Sequence, residues 1–347
     1  LHALDIEEGW RRRGNGPDDM KTVALGKHGL TVSAMGLGCM MIAGHYGQAD
    51  ADESTRVIDT AVERGVTLFD TANVYGGSQN EVFVGRALAK VRDRVIIATK
   101  FGFTRPGGGG KGPGGAMMVD GSPAHVREAC DASLGRLGIE TIDLYYLHRV
   151  DPKVPIEETV GAMGELVAAG RVRYIGLSEV SEATVRRAAK IHPITAVQNE
   201  YSPWSREPEA MLPAFDELGV GLVAYSPLGR GFFSGTVTSY EQLGEDDNRR
   251  GYPRFKAFEA NRPVLEQFTE LAKQRGCSPA QLALAFVMTK GRGAVPIPGT
   301  KHVNHLLDNL AAVDIVLTPD EVAEIERITA SVPVTGERYA DTTLLLA

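Results

Sequence analysis

Thr67–Leu68–Phe69–Asp70–Thr71–Ala72, Ile96–Ile97–Ala98–Thr99–Lys100 and Leu144–Tyr145–Tyr146–Leu147–His148 decide the fold. Each is a short apolar run, too hydrophobic to alternate as a half-exposed strand does, with an ionisable side chain at or near its end. The same kind of run recurs along the chain. Strands are expected at Ala34–Gly38, Thr67–Asp70, Val95–Thr99, Ile142–Leu147, Tyr174–Leu177, Ala196–Gln198, Gly221–Tyr225 and Ala294–Ile297. Amphipathic helical stretches separate them. Asp50 with Glu53 caps a helix whose apolar face is Val57, Ile58, Ala61 and Val62, ending at Gly65. Ser122–Pro123 opens another, with Val126, Cys130, Leu134 and Leu137 on one face, and Thr318–Pro319–Asp320–Glu321 is a capping box after the last strand. Thr22–Leu25 and Leu30–Val32, joined across Gly26–Gly29, read as a β-hairpin ahead of this pattern.

Strand–helix alternation without a composition break predicts one α/β domain, and eight rounds favour a closed (β/α)8 TIM barrel over an open sheet. The domain is expected to span residues 20–347, with residues 1–19 as an extension of little fixed structure. Two long connections, Arg105–Met118 with its glycines and Leu228–Phe258 with its charged cluster, follow the third and seventh strands. In a barrel both sit on the C-terminal face. The Gly-rich stretch lacks the spacing of a phosphate loop and reads as a flexible lid.

Composition narrows the function classes. With 37 basic against 44 acidic residues the formal charge is −7, which argues against general nucleic-acid binding while allowing a local basic pocket. Cys39, Cys130 and Cys277 have neither metal-ligand nor redox spacing, which suits thiols in a reducing cytoplasm. The longest apolar stretches, such as Leu282–Met288, fall far short of the roughly 18 residues of a membrane span. Residues 1–19 carry Arg11, Arg12 and Arg13 but no apolar core of a signal peptide. No pattern fixes an oligomeric state.

The strand ends carry the chemistry. In a parallel barrel they meet at one mouth, so Asp70, Tyr75, Lys100 and His148 converge despite their separation in sequence. A free phenol, with a pKa of about 10, is a poor acid at neutral pH. A nearby ammonium favours the phenolate and draws that pKa down, a role open to Lys100, with Asp70 holding the ammonium in place. His148 can donate to a substrate oxygen or relay its proton. Taken singly, each residue has an ordinary reading as an ion pair, a packed ring or a satisfied core group; jointly, on successive strand ends, they form a proton-delivery set. A metal-dependent barrel hydrolase needs clustered ligands, and only His148 and Asp70 qualify.

The motifs Phe69–Gly76, Ala98–Lys100, Tyr146–His148, Ile175–Glu179, Val197–Ser202 and Ile297–Lys301 resemble the aldo-keto reductase superfamily over about Lys21–Tyr339. Ala224–Phe232 and Gly336–Tyr339 are similar to the branch of pyridoxal reductase-like and aryl-alcohol dehydrogenase-like enzymes. The resemblance implies an NADPH/NADP+-dependent oxidoreductase acting on a small-molecule carbonyl substrate, with neither metal nor flavin. It makes Tyr75 the general acid, Lys100 and Asp70 its tuning pair, and His148 the substrate-orienting group. It assigns Ser178, Glu179 and Gln198 to the nicotinamide carboxamide and Tyr225 to its ring face. Ser226, Leu228, Gly229 and Arg230 fall along the pyrophosphate, and Gly299, Thr300, Lys301, His305, Asp308 and Asn309 at the adenosine end. Two positions depart from many members: Glu179 stands where Asn is common, and His302 and His305 occupy a stretch that often holds an arginine for the 2′-phosphate. Lys301, Thr300 and the helix start beside them still favour an anion and hence NADPH. Tyr46, Trp204 and Phe232 are candidate aromatic walls of the substrate pocket. A cofactor-binding regulator, like the potassium-channel beta subunits of this fold, is the rival reading.

Overall fold

The backbone amide of Gly36 donates to the carbonyl of Pro296 at 3.0 Å and that of Gly38 to Pro298 at 3.2 Å, joining the first barrel strand to the last. These bonds close an eight-stranded sheet in which each strand pairs in parallel with the next along the chain. In the computed structural model, which describes residues 10–12, 20–43, 49–104, 118–340, 342 and 345, the barrel strands are Leu37–Gly38, Leu68–Asp70, Ile96–Phe101, Ile142–Leu147, Val172–Ser178, Ala196–Glu200, Gly221–Tyr225 and Val295–Pro296. The chain is therefore a (β/α)8 barrel with helices outside it. At the seam the first strand presents Gly36 and Gly38, which let the backbones approach closely. A Cβ on Gly38 would stand 2.6 Å from the carbonyl oxygen of Ile297. Gly38→Ala is expected to force the seam apart and cost about 1–3 kcal/mol, read as a lower midpoint in thermal or urea unfolding. Wild-type stability in that variant would mean that the seam is not closely packed.

The N-terminal hairpin explains why only one end of the barrel is open. Lys21–Ala24 pairs with Thr31–Ser33, and Leu25 N–H donates to the Leu30 carbonyl at 2.8 Å. Val23, Leu25, Leu30 and Val32 pack onto the inward residues Leu68, Ala98, Leu144, Tyr146, Ala196, Val223, Val295 and Ile297 as one cluster. The tip is held by Lys27 N–H on the carbonyl of Gly219, just before the seventh strand starts. The hairpin thus plugs the N-terminal end with apolar side chains, and chemistry is left to the opposite mouth. Trp10–Arg12 adds a third antiparallel strand against Lys21–Val23. These residues belong to the stretch expected to be an extension of little fixed structure; the rest of residues 1–19 lies outside the described residues.

Local signals set the helix ends. Asp50 accepts from the amide of Glu53 at 2.7 Å and starts the helix Ala51–Glu63, which buries Val57, Ile58 and Ala61. Ser122 caps Pro123–Leu137, and Thr318 with Glu321 forms the expected capping box of Pro319–Ala330. A second box, Ser278 with Gln281, opens Pro279–Lys290. The Leu228–Phe258 connection is more ordered than a loop, with short helical turns at Gly229–Ser234, Tyr240–Gln242 and Asn248–Gly251 and a helical turn at Pro253–Lys256. Of the Gly-rich connection, residues 105–117 lie outside the described residues; its base is pinned where Phe103–Thr104 pairs with Met118–Val119. Among the described residues no helix is long and apolar enough to cross a membrane.

Candidate active site

Parallel register fixes which side chains meet at the mouth. Asp70 lies opposite Ala98, Lys100 opposite Tyr146, and Ser178 opposite Gln198. The amide of Asn73 then donates to the Lys100 carbonyl at 3.1 Å and bends the chain after the second strand over the third. Gly76 and Gly77, both at positive φ (56° and 63°), turn the chain sharply just past Tyr75. The phenol is thereby presented to the mouth.

Lys100 is wholly buried, and its ammonium donates to Asp70 Oδ1 and, at 2.9 Å, to the Thr71 carbonyl. It lies 5.2 Å from the centroid of the Tyr75 ring. Asp70 Oδ2 accepts from Gln198 Nε2 at 2.8 Å, tying the second strand to the sixth. The Tyr75 and His148 rings meet edge to face, 6.0 Å apart, so all four residues read from the strand ends come together.

Electrostatics sets the protonation of Lys100, Tyr75 and His148. Burial disfavours the charge on Lys100, but Asp70 and Tyr75 more than offset it and hold its pKa above the ordinary lysine value. Burial pushes the Tyr75 phenol up against the opposing pull of Lys100, with a net rise. The sequence had suggested a phenol tuned downward; desolvation wins instead, so the phenol keeps its proton at neutral pH. Burial, Lys100 and Arg149 drive His148 well below the usual histidine value, leaving a neutral imidazole. The mouth therefore holds a protonated phenol, a charged ammonium and a neutral hydrogen-bonding ring.

A cleft of about 1970 Å³ opens here and runs outward past the seventh and eighth strands. Asp70, Tyr75, His148, Ser178, Gln198 and Tyr225 line its inner part, Ser226, Leu228 and Arg230 its middle, and Gly299, Thr300, Lys301, His305, Asp308 and Asn309 its outer part. Gly229 is buried behind this wall. Its φ of 56°, with 49° at Ser226, 58° at Arg230 and 93° at Gly231, marks a run of left-handed turns after the seventh strand. Strain of this kind collects where backbone is shaped around a ligand. Arg230 is clamped to Glu200 Oε2 at 2.6 Å, with the Tyr252 and Tyr339 rings 4.6 and 4.5 Å from its guanidinium. The carboxylate of Asp308 is held by Ser278 Oγ and Gln281 Nε2 at 2.7 and 2.8 Å.

Three expected contacts are placed elsewhere. Glu179 points away from the cleft wall, and its carboxylate accepts from the Glu200 amide, the Tyr225 hydroxyl and Arg338. A glutamate is long enough to reach the buried arginine of the tail, where an asparagine is not. Trp204 and Phe232, candidates for the substrate wall, stack face to face with centroids 4.1 Å apart inside a separate aromatic cluster with Phe233 and Phe258. Tyr46 lies outside the described residues. Sequence reasoning missed Arg149 on the cleft wall, whereas Asp247 and Tyr252 belong to the Leu228–Phe258 connection expected on this face, and Tyr339 to the tail, without being singled out. Arg149 could have been found by the rule that found His148, since it is the next residue at the same strand end. Among the described residues no three His, Cys, Asp or Glu side chains gather to hold a metal ion.

A hairpin-plugged barrel whose ionisable side chains gather at the C-terminal mouth of a long cleft has the architecture of α/β-barrel enzymes. The particular family follows from comparison with known proteins. Residues 34–330 match the aldo/keto reductase family, and the chain belongs to it. It is 45% identical over 325 residues to the Glycine max protein named "Probable aldo-keto reductase 1", covering 92% of each chain. A glycerol dehydrogenase from Gluconobacter oxydans superposes with a TM-score of 0.81 at 28% identity, over 91% of this chain and 97% of that one. An aldo-keto reductase from Bacillus halodurans in a holo form gives 0.73 at 29% identity, over 92% and 98%.

Proposed function

We propose that this chain is an NADP(H)-dependent reductase of aldehydes or ketones in which Tyr75 is the general acid. The observation that carries this reading is the buried Lys100, gripped by Asp70 and set beside the Tyr75 ring, with His148 across from it. The residues present fit a dinucleotide. The single cleft joins the mouth to the start of the helix Val303–Ala311, and the left-handed turns at Ser226–Gly231 shape backbone along its middle. Ser178, Gln198 and Tyr225 would hold the nicotinamide, Ser226, Leu228, Gly229 and Arg230 the pyrophosphate, and Gly299, Thr300, Lys301, His305, Asp308 and Asn309 the adenosine end. When bound, the cofactor supplies the hydride.

The chain's own residues handle the proton. His148, neutral, donates a hydrogen bond that orients the substrate oxygen toward Tyr75. As negative charge grows on that oxygen, the Tyr75 phenol passes its proton to it. The phenolate left behind is stabilised by Lys100, whose own charge is secured by Asp70. Tyr225, half-buried at the cleft edge with its hydroxyl bonded to Glu179 at 2.8 Å, offers a fixed ring face.

Oxidation of NADPH in the presence of a simple aromatic aldehyde tests this reading. Turnover with formation of the alcohol is expected. Tight NADPH binding with no turnover would favour the cofactor-binding regulator instead. The cofactor preference is checked by kcat/KM, expected to be higher with NADPH than NADH because Lys301 and a helix start line the outer cleft. Equal values would remove the NADP(H) assignment.

A further inference from the structure

Arg149 follows His148 at the end of the fourth barrel strand and is 7% exposed, yet it lies on the cleft wall. Among the described residues only one of its nitrogens has a partner: Nη1 donates to the His148 carbonyl at 2.7 Å and reaches Ser178 Oγ at 3.4 Å. The guanidinium sits 5.7 Å from the ring of Phe103, whose centroid is 4.8 Å from that of His148. Every other buried arginine of this face has a carboxylate partner. Arg230 is paired with Glu200, Arg338 with Glu179, and Arg254 stands 3.7 Å from Glu200. Arg149 has no ion pair among the described residues. Glu179, the anion whose charge it feels, already accepts from Arg338, Tyr225 and the Glu200 amide.

Burial disfavours the charge on Arg149, but Tyr225, Tyr339 and Glu179 nearby more than offset this, and none of them bonds the guanidinium, whose planar fork matches an oxyanion in bidentate fashion. Here the fork stands one residue from the group that orients the carbonyl. We propose that Arg149 anchors an anionic group of the substrate, and that this site prefers aldehydes or ketones bearing a carboxylate or phosphate close to the reacting carbonyl. This rests on the reductase reading above and names its substrate class. Phe103, beneath both Arg149 and His148, would floor the space between anion and carbonyl. The anion would supply the missing partner, and His148 would remain neutral beside the positive field of Arg149 and Lys100.

The test compares 3- and 4-carboxybenzaldehyde with their neutral methyl esters in the wild type, Arg149→Met and Arg149→Lys. Calorimetry of the NADP+-saturated protein with 4-(hydroxymethyl)benzoate and its methyl ester runs beside it. In the wild type the acids are expected to exceed the esters by about 10- to 100-fold in kcat/KM, the range of a charge-assisted hydrogen bond. The ratio should collapse in Arg149→Met and return in part in Arg149→Lys, and 4-(hydroxymethyl)benzoate should bind more tightly than its ester only where the charge is present. A wild-type ratio at or below one overturns the proposal even if the Met variant does not fold. A ratio unchanged in Arg149→Met overturns it as well. Equal loss for acid and ester with weakened NADP+ binding makes Arg149 a positioning residue for Ser178 and rejects the anion role. If the wild type reduces none of these aldehydes, the reductase reading fails, and the calorimetric comparison still decides whether Arg149 holds an anion.

Discussion

Tyr75→Phe is expected to lower kcat by about 10²-fold or more while cofactor affinity stays close to wild type. The substitution removes one oxygen and keeps the ring that packs against His148 and lies beneath Lys100. On the proposed reading most cofactor contacts lie along the cleft beyond the mouth, from Ser226 to Asn309, and affinity should be little disturbed. What disappears is the proton that burial keeps on the phenol at neutral pH. Steady-state kinetics with an aldehyde, paired with fluorescence titration of NADPH, separates the two effects. A variant with near wild-type kcat would assign the acid role to another group, with His148 next in reach.

Lys100→Met should damage turnover as severely, for a different reason. The ammonium is the only cation in contact with both Asp70 and the Tyr75 ring among the described residues, and it is the charge that opposes the cost of forming a buried phenolate. Without it the phenol becomes a still weaker acid, and kcat is expected to fall by about 10²-fold or more. The fold should suffer too, because Asp70 keeps only Gln198 as a side-chain donor at a buried position. Removing one member of a buried ion pair costs about 3–5 kcal/mol. The expected signature is a lowered melting midpoint together with slow turnover measured well below that midpoint. Normal turnover in a folded Lys100→Met protein would contradict the role given to the ammonium.

Three of the four residues at the mouth were legible because barrel register is a local property, and Tyr75 was legible from its place in the loop after Asp70. An apolar run ending in Asp70, Lys100 or His148 places that side chain at the C-terminal rim whatever the rest of the chain does. Helix starts at Asp50, Ser122 and Thr318 were legible for the same reason, since a cap needs only its neighbours. The direction in which Glu179 points was not. It depends on Arg338, 159 residues away, folding back onto the barrel. Trp204 and Phe232 illustrate a second limit, since an aromatic type and a nearby position do not distinguish a pocket wall from a stack behind it. The pKa of Tyr75 illustrates a third: the sequence supplies the lysine that lowers it, but the burial that raises it exists only in the folded chain. The seam between the first and last strands was hidden because it is made by backbone atoms of Gly36, Gly38, Pro296 and Pro298, which leave no hydrophobic pattern.

The central claim is that this mouth reduces a carbonyl by taking hydrogen directly from the nicotinamide carbon and a proton from Tyr75. A single turnover of NADPH carrying deuterium at both C4 positions of the nicotinamide, in ordinary water with an aromatic aldehyde, tests it most directly by mass spectrometry of the product. One deuterium retained on the carbinol carbon of every alcohol formed is the predicted result. Alcohol that carries no label, or label lost to the solvent, would contradict the account.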